Sequence, residues 1–436
     1  MLLLYTTSVT ARLRFISHLL FEEIAGLSLK FTHSKDEYLL FEGPKIAYVK
    51  ENPGGGLFME SSGLLFEKTI FSHEIPVRRY HDVPILFESS VPDAGFPFDL
   101  LAASFYLVSR YEEYTAVAHD KFGRFPASAS LAYKHRFLDK PIVNIWLKLF
   151  IDRLRQRYPA LMTRQLPYRY LPTIDIDHAY AYRHRSLYRT MGGIGRSLGH
   201  GRPLEVFERL QVLAGISRDP YDTFSFIRKL HEKYNLPSVC FILFADYGGN
   251  DNNIPVSGSG MRELINSLFE WTELGIHPSL SSSKHPARVK EEIEGLERIT
   301  VKEITLSRQH FLKFTLPDTF RQLVKLGIRD DYSMGYASNP GFRAGIAHPF
   351  FFFDLEKNEE KPLRIHPVPV MDVTFHDYLR LTCEESFDEI KQIIDQVRLF
   401  NGEFVSLWHN ESLSDKGRWK GWRTLYEKVV AEAVGE

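Results

Sequence analysis

The stretch Thr173-Ile174-Asp175-Ile176-Asp177-His178 decides the fold of the larger part of this 436-residue chain. Side chains alternate between the two faces of a strand, so Asp175 and Asp177 lie on the same face. Two carboxylates that close repel each other unless a cation or a proton lies between them. The pattern therefore favours a strand end with one carboxylate on a metal and the other free as a base. A solvated strand end or a helix cap is the structural alternative.

Short apolar, β-rich segments alternate with helical segments on both sides of this stretch. Alternation of this length is typical of a parallel sheet with crossover helices. We predict an α/β domain over residues 166–436 that forms a distorted (β/α) barrel with about seven strands, although periodicity also permits an open sheet. The strand candidates are Leu171–Ile176, Ser238–Phe244, Glu273–His277, Ile304–Arg308, Tyr332–Gly335, Leu363–Val370 and Glu403–His409.

Residues 1–165 read as a smaller mixed α/β domain. Leu2–Tyr5 is a predicted strand, while Phe98–Glu113 and Ile142–Gln156 are predicted helices. The charged, proline-containing segment 157–165 marks the boundary between the two domains. The amino-terminal sequence itself indicates no activity.

Several predicted strands of the larger domain end in a polar residue that could take part in chemistry. His277, Arg308 with His310, and His409 occupy such ends, as do the two aspartates of the first strand. Active sites of β/α barrels are assembled at the carboxyl ends of several strands. A carboxylate combined with imidazoles is a ligand set that suits zinc. Each histidine alone could equally be structural, but together they predict a divalent metal site, with zinc as the expected ion.

At these clusters the chain resembles the polysaccharide deacetylases of carbohydrate esterase family four. Thr173, Asp175 and Asp177 match a Thr-x-Asp-x-Asp variant of the opening motif of that family. The resemblance implies that Asp175 is the catalytic base and Asp177 a metal ligand. His277 matches the first histidine of the second motif, which binds metal. The two-part layout also resembles bacterial deacetylase-like proteins.

Two further motifs of the family have counterparts here. Arg308, followed by Phe311, matches the third motif, whose arginine orients the base. Leu407 and His409 match the closing Leu-x-His motif, which implies that His409 is the catalytic acid. His366 and Asp372 flank the preceding strand, and we expect them to support His409.

The sequence departs from the family at the third metal ligand. Ser281 stands where the family has its second metal-binding histidine, and His310 stands where the third motif has proline. We predict that His310 supplies the missing ligand. His285 and Ser281 itself are the alternatives, and weak or absent metal binding is a further one.

The expected function is a metal-dependent hydrolase that removes N-acetyl or O-acetyl groups from a sugar or a polysaccharide precursor. We predict that Tyr332, Arg343 and Trp408 contact the carbohydrate substrate. The alternatives are a hydrolase of small cyclic amides on the same barrel, and a glycan-binding or scaffold protein with a degenerate, inactive site.

Composition and charge exclude other classes of function. The chain has 54 basic and 55 acidic residues, and we find no clear basic face that would indicate nucleic-acid binding. No stretch of 18 apolar residues is present, so no membrane span is expected. The amino terminus lacks the basic start of a signal peptide, and the two cysteines show no paired spacing. A cytoplasmic location is therefore expected, and no oligomeric state is predicted.

Overall fold

The computed structural model describes residues 1–91, 95–116 and 118–436. The amino-terminal part contains a sheet of four parallel strands in the order β2-β1-β3-β4, and a separate antiparallel pair, β5 and β6. These strands are β1 (Leu2–Thr6), β2 (Leu29–Thr32), β3 (Lys45–Val49), β4 (Leu57–Glu60), β5 (Arg78–Tyr80) and β6 (Val83–Ile85). The helices of this part are α1 (Ala11–Ser17, continued by a π-helical segment, His18–Ile24), α2 (Lys35–Leu40), α3 (Leu100–Val108), α4 (Tyr111–Thr115), α5 (Leu131–Lys134) and α6 (Ile142–Arg157).

The central helix of this part, α3, is buried along its whole length, as its uniformly apolar sequence predicts. Asp99 begins the helix by accepting a hydrogen bond from the main-chain N–H of Ala102, which satisfies one of the free amides at a helix start. The same carboxylate accepts a hydrogen bond from the hydroxyl of Tyr48 on β3, so it ties the helix to the sheet.

The larger part is a curled, half-barrel sheet of nine strands in the order β12-β13-β11-β10-β9-β8-β7-β15-β14. All neighbouring strands are parallel except β12 and β13. The strands are β7 (Arg169–Ile176), β8 (Val239–Ile242), β9 (Glu273–Ile276), β10 (Leu306–Ser307), β11 (Asp330–Met334), β12 (Phe350–Asp354), β13 (Glu359–Pro367), β14 (Val370–Met371) and β15 (Glu403–His409).

The α/β class is confirmed, whereas the count of about seven strands is wrong. The seven predicted strands all have counterparts, and the two additional ones lie at the edges of the sheet. The Phe350–Asp354 segment forms the antiparallel edge strand β12, and β14 is a two-residue strand that the sequence analysis merged with the one before it. Edge strands this short or this irregular give little periodic signal.

Eight helices accompany the large sheet: α7 (Leu187–Gly199), α8 (Pro203–Leu213), α9 (Phe224–Lys233), α10 (Ser259–Phe269), α11 (Pro286–Thr300), α12 (Asp318–Lys325), α13 (Cys383–Leu399) and α14 (Trp422–Val434). The start of α13 is fixed by reciprocal hydrogen bonds between Thr382 and Glu385. Among the described helices, none is both long enough and apolar enough to cross a bilayer.

The curvature of the sheet brings its two sides together. Nε2 of His366 on β13 lies 2.9 Å from Oδ1 of Asp330 on β11, and Nδ1 of the same ring lies 2.5 Å from Oε1 of Glu403 on β15, across the opening. A buried apolar cluster that includes Phe241, Leu306 and Val405 fills the space inside. Because eight of the nine strands are parallel, their carboxyl ends form one common rim above this cluster.

The amino-terminal part packs directly on the large sheet. Arg343, from the loop after β11, donates two hydrogen bonds to Glu113 of α4, and both side chains are buried. Arg110 donates a hydrogen bond to the main-chain carbonyl of Arg343. The proposed domain boundary at residue 165 falls in the connection between α6 and β7 and stays a prediction.

Candidate functional site

Three side chains that follow parallel strands converge at the rim of the large sheet. Asp177 follows β7, His277 follows β9, and His310 follows β10. Nε2 of His277 lies 3.2 Å from Oδ1 of Asp177, and Nε2 of His310 lies 3.2 Å from Oδ2 of the same carboxylate. The three ligand atoms lie within 4.8 Å of one another, a spacing that one metal ion could bridge.

The hydrogen bonds of the two imidazoles direct Nε2 of each ring toward the centre of this group. Nδ1 of His277 lies 2.5 Å from the main-chain carbonyl of Arg308, and Nδ1 of His310 lies 2.9 Å from Oδ1 of Asp251. A carbonyl or carboxylate only accepts hydrogen bonds, so each Nδ1 must carry its proton. When either ring is in its neutral form, which is the form that binds a metal, its lone pair is on Nε2, as in metal-bound histidines whose other nitrogen is held by a protein oxygen.

The carboxylate of Asp177 is held in its charged form. Burial raises its pKa, but the positive charges of His310 and His277 in their protonated forms, each in contact with the carboxylate at 3.2 Å, outweigh burial and hold the pKa well below its ordinary value. Oδ1 of Asp177 is buried and has no hydrogen-bond partner among the described residues. A buried carboxylate that has one oxygen without a donor and that faces one imidazole nitrogen from each of its two oxygens is an environment in which a cation would be favourable. The donor set therefore fits a divalent metal.

The second carboxylate of the strand has a different partner. Oδ1 of Asp175 accepts a 2.7 Å hydrogen bond from Nη1 of Arg308, and both side chains are buried. Arg308 is held in turn by a hydrogen bond from Nε to the main-chain carbonyl of Tyr332 and by the ring of Phe241 beneath its guanidinium. Oδ2 of Asp175 lies 3.6 Å from Nε2 of His277. Asp175 is thus fixed beside the candidate metal ligands by a permanent cation.

His409 ends β15 directly beside Asp175, with which it is paired in the sheet. Its Nδ1 lies 2.8 Å from Oδ1 of Asp372, and its main-chain N–H donates to Oδ2 of the same carboxylate. Burial lowers the pKa of His409, but Asp372, Asp177 and Asp175 together raise it to about 10. Nε2 faces the site, 3.7 Å from Asp177. This ring can carry a proton at a fixed position.

His366 and Asp372 behave differently from each other. Asp372 contacts His409, as expected, whereas His366 lies on the inner side of the curled sheet, stacked on Tyr332 at 4.1 Å between ring centres. The expectation that His366 supports His409 is therefore wrong.

His310 lies at the candidate metal centre, whereas the two alternative residues, Ser281 and His285, do not. Ser281 hydrogen-bonds the hydroxyl of Ser279 at 2.9 Å, and its main-chain N–H donates to Asp251. His285 precedes α11 and is exposed. Neither residue belongs to the group of potential ligands found among the described residues.

The three residues expected to contact substrate lie elsewhere. Tyr332 is part of the buried cluster inside the sheet, and Arg343 is paired with Glu113. Trp408 is fully buried against Trp422 and Tyr426. Alternation along β15 sends Trp408 to the face opposite His409. None of the three lines the cavity at the candidate metal centre.

An open cavity of about 180 Å³ lies over this centre. Its wall includes apolar side chains, namely Phe311, Leu312, Ala337, Met371, Val373 and Leu407, and polar ones, namely Arg124, His178, Gln309, Asp377, Tyr378, Glu411 and Arg418. The cavity therefore offers an apolar side next to hydrogen-bonding groups, which is the general character of a small-molecule site.

Part of this wall comes from the amino-terminal part of the chain, which the sequence analysis left without a role. Arg124 donates hydrogen bonds to the main-chain carbonyl of Phe311 and to the hydroxyl of Tyr378. Phe122 packs on Phe311 with 5.0 Å between ring centres. Phe311 and Leu312 both have positive φ angles, 62° and 51°, which are rare for side chains of this size and cluster at functional sites. Arg124 and Phe122 thus support the turn that follows His310.

Asp251 and Arg124 are the site residues that the sequence analysis missed. Asp251 lies in a glycine- and asparagine-rich turn, 59 residues before the histidine that it contacts. Arg124 is 187 residues from Phe311. A local sequence pattern cannot predict contacts between residues so far apart in the chain. The cluster of turn residues around Asp251 does indicate a loop after a strand.

The fold and the site define an α/β protein that has a half-barrel sheet and a candidate metal centre at the carboxyl ends of its strands. Residues 2–159 match a family of unknown function (DUF7033). None of the curated proteins matches the chain. Among solved structures, the chain is similar to a crystal structure of a putative polysaccharide deacetylase from Mycobacterium smegmatis, with 14% identity and a TM-score of 0.40. The match covers 62% of this chain and 89% of that one. Likeness at this level fixes neither an activity nor a substrate.

Proposed function

We propose that the protein is a metal-dependent hydrolase that removes an acetyl group from an N-acetylated or O-acetylated sugar. The observation that carries the proposal is the convergence of Asp177, His277 and His310 with Asp175 and His409 around one cavity. Hydrolysis of an amide or ester needs an activated water, a stabilised oxyanion and a proton for the leaving group. Asp177, His277 and His310 are the candidate ligands of a metal that would activate the water and stabilise the oxyanion. Asp175 and His409 are the candidate base and acid.

Asp177, His277 and His310 would hold the metal, which we propose to be zinc. When bound, such an ion polarises a carbonyl group and makes a water molecule easier to deprotonate. Three protein ligands would leave one coordination position of a zinc ion for water or substrate, as catalytic zinc sites require.

Asp175 is the proposed general base. Its ion pair with Arg308 fixes the position of the carboxylate and leaves Oδ2 free of hydrogen bonds from the arginine. A base must lie within hydrogen-bond reach of the proton that it takes, and a buried partner on one oxygen keeps the other correctly placed. Arg308 is therefore a positioning residue rather than a group that contacts substrate.

His409 is the proposed general acid. Asp372 orients its ring and favours the protonated form, so the imidazolium can give its Nε2 proton to the departing amine or alcohol. Met371 and Leu407 give the neighbouring wall an apolar surface that suits the methyl of an acetyl group. The polar side chains around the opening suit sugar hydroxyls.

The test is release of acetate from a panel of N-acetylated and O-acetylated mono- and oligosaccharides by the full chain in the presence of zinc. We expect turnover of at least one class of substrate, loss of turnover on chelation, and its return when the metal is restored. The Asp175→Asn variant serves as the matched control with strongly reduced turnover. Stoichiometric metal binding without acetate release from any member of the panel would contradict this substrate class, and glycan binding without turnover would favour a scaffold.

A further inference from the structure

The helical hairpin formed by α7 and α8 exposes its apolar side chains. Of the large hydrophobic side chains that are exposed among the described residues, nine lie in the short segment 187–216, and Tyr188, Leu204 and Leu187 are exposed by 89%, 81% and 79%. The other six are Met191, Leu198, Phe207, Leu210, Leu213 and Ile216. On an ordinary surface helix the apolar stripe faces the core. Exposed hydrophobic residues on a monomeric surface are usually scattered singly, and a contiguous group marks an interaction site.

The side of the hairpin that is turned inward is largely polar. Thr190 and Ser197 are the buried residues of α7. Ser197 donates a 3.0 Å hydrogen bond to Glu205 of α8, and Arg209 of α8 packs closely against Gly193 and contacts the carbonyl of Thr190. Polar contacts therefore hold the two helices together, and the exposed apolar side chains remain available to contact a partner outside the chain.

The first helix of the hairpin and the turns that flank it are basic, although the chain as a whole has a net charge of −1. Between residues 183 and 204 there are five arginines and no acidic residue: Arg183, Arg185, Arg189, Arg196 and Arg202. Arg196 is exposed and has no ion-pair partner among the described residues, whereas Arg202, whose side chain is 64% exposed, forms a 3.2 Å ion pair with Glu205. The balance of charge over the whole sequence concealed this local excess.

The hairpin is attached to the rim that carries the candidate metal centre. Asp219 follows α8, and its carboxylate accepts hydrogen bonds from the main-chain N–H groups of Ala181, Tyr182 and Arg183, which precede α7. These hydrogen bonds join the two ends of the hairpin segment at its base. Arg189 donates to the main-chain carbonyls of Asn252 and Asn253. The base follows directly after β7, whose end carries Asp175 and Asp177.

We propose that the outer face of this hairpin docks on the surface of an anionic lipid bilayer. An exposed apolar stripe beside arginines is the composition of helices that lie in a membrane interface, where apolar side chains enter the boundary and cations contact lipid headgroups. A second copy of the chain is disfavoured as the occupant, because a symmetric interface would bring the exposed cations Arg196 and Arg202 of one copy toward those of the other. Docking would bring the rim of the candidate site to the bilayer. The proposal goes beyond the hydrolase function and does not depend on it.

The experiment is co-sedimentation of the full chain with vesicles of phosphatidylcholine, with and without about one-third phosphatidylglycerol, at low and moderate salt. We expect binding to the anionic vesicles that is at least tenfold stronger than to the neutral ones and that weakens as salt rises. Arg196→Gln should weaken binding about fivefold, since one arginine near an anionic surface contributes about that factor. The double substitution Leu198→Ser and Phe207→Ser should weaken it at least tenfold.

Matched controls are Lys35→Gln and Leu399→Ser, which alter exposed residues of α2 and α13 and should leave vesicle binding unchanged. All altered side chains are exposed, and circular dichroism confirms that each variant is folded. Absence of binding to anionic vesicles at low salt would overturn the proposal, as would equal binding by wild type and both hairpin variants. A dimer in sedimentation equilibrium that the hairpin substitutions dissociate, without vesicle binding, would instead assign the face to a second copy. Acetate release is not part of the readout, so failure here leaves the hydrolase proposal untouched.

Discussion

Asp251 fixes the ring of His310: its Oδ1 lies 2.9 Å from Nδ1 of the imidazole. The carboxylate is itself held by the main-chain N–H groups of Leu280 and Ser281. Burial raises the pKa of Asp251, but the hydrogen bond from His310 and those two N–H groups outweigh burial and lower it. The segment in which the family resemblance places a second histidine thus supports His310 through Asp251 instead of providing a ligand.

We predict that Asp251→Ala weakens zinc affinity by about 10–100-fold, because loss of a carboxylate behind a metal-bound histidine has effects of this size. Competition with a fluorescent chelator measures the change. Asp246→Ala is the matched control, since Asp246 lies in the same loop and is exposed. Equal affinity in wild type and Asp251→Ala would show that His310 does not depend on this contact.

The third ligand can be identified by three single substitutions. His310→Ala should abolish stoichiometric zinc binding in calorimetry, because the two remaining ligands hold the ion far less firmly. Ser281→Ala and His285→Ala should bind zinc like the wild type. If either of these two lost the metal while His310→Ala kept it, the assignment of His310 would be wrong.

Asp175→Asn and His409→Asn should each lower kcat by roughly 10²–10⁴, the usual contribution of a positioned base or acid. Zinc stoichiometry should stay at one, since neither residue is a proposed ligand. Steady-state assays of acetate release, together with elemental analysis of the same samples, separate the two effects. If kcat fell only in proportion to the loss of zinc, Asp175 and His409 would not be the base and the acid.

Much of the sheet and of the candidate site could be predicted from the sequence because the signals are local. Alternation along β7 places Asp175 and Asp177 on one face, and parallel strands bring their carboxyl ends to one rim. That reasoning is sufficient to bring Asp177, His277 and His310 together. The same alternation, applied to β15, separates Trp408 from His409, and it should have removed Trp408 from the expected substrate contacts.

Other features could not be predicted, because they depend on contacts between distant segments. Asp251 reaches His310, and Arg124 reaches Phe311, through loops whose course no periodic pattern fixes. The hairpin of α7 and α8 was missed for a different reason. Its apolar stripe has helical spacing, but four glycines in α7 lower helix propensity by about 1 kcal/mol each.

The contribution of the amino-terminal part to the cavity can be tested with Phe122→Ala. Loss of an aromatic pair contributes about 0.5–1.5 kcal/mol, so we expect KM to rise roughly three- to tenfold while kcat changes less. The physical reason is a looser Phe311 at the cavity wall. Phe71→Ala, which removes an exposed aromatic ring of the same part, should leave both constants unchanged. An unchanged KM in Phe122→Ala would show that this contact of the amino-terminal part does not contribute to substrate binding.

Stability should fall between about pH 6.5 and pH 4 through His231. Burial lowers the pKa of this histidine to about 4, while the unfolded chain has the ordinary value near 6.5. The unfolded state therefore binds more protons as pH falls through this window, which removes roughly 3 kcal/mol from the free energy of unfolding. In His231→Gln, denaturant unfolding across this range should show a shallower dependence on pH. His200→Gln, at an exposed position, should keep the slope of the wild type.

The most direct test of the central claim is a crystal structure of the protein with zinc, with data collected on both sides of the zinc absorption edge. We expect one strong anomalous peak per chain, bonded to Asp177, to Nε2 of His277 and to Nε2 of His310. A site left without a peak when zinc is in excess, or a peak that lacks any one of these three ligands, would contradict it.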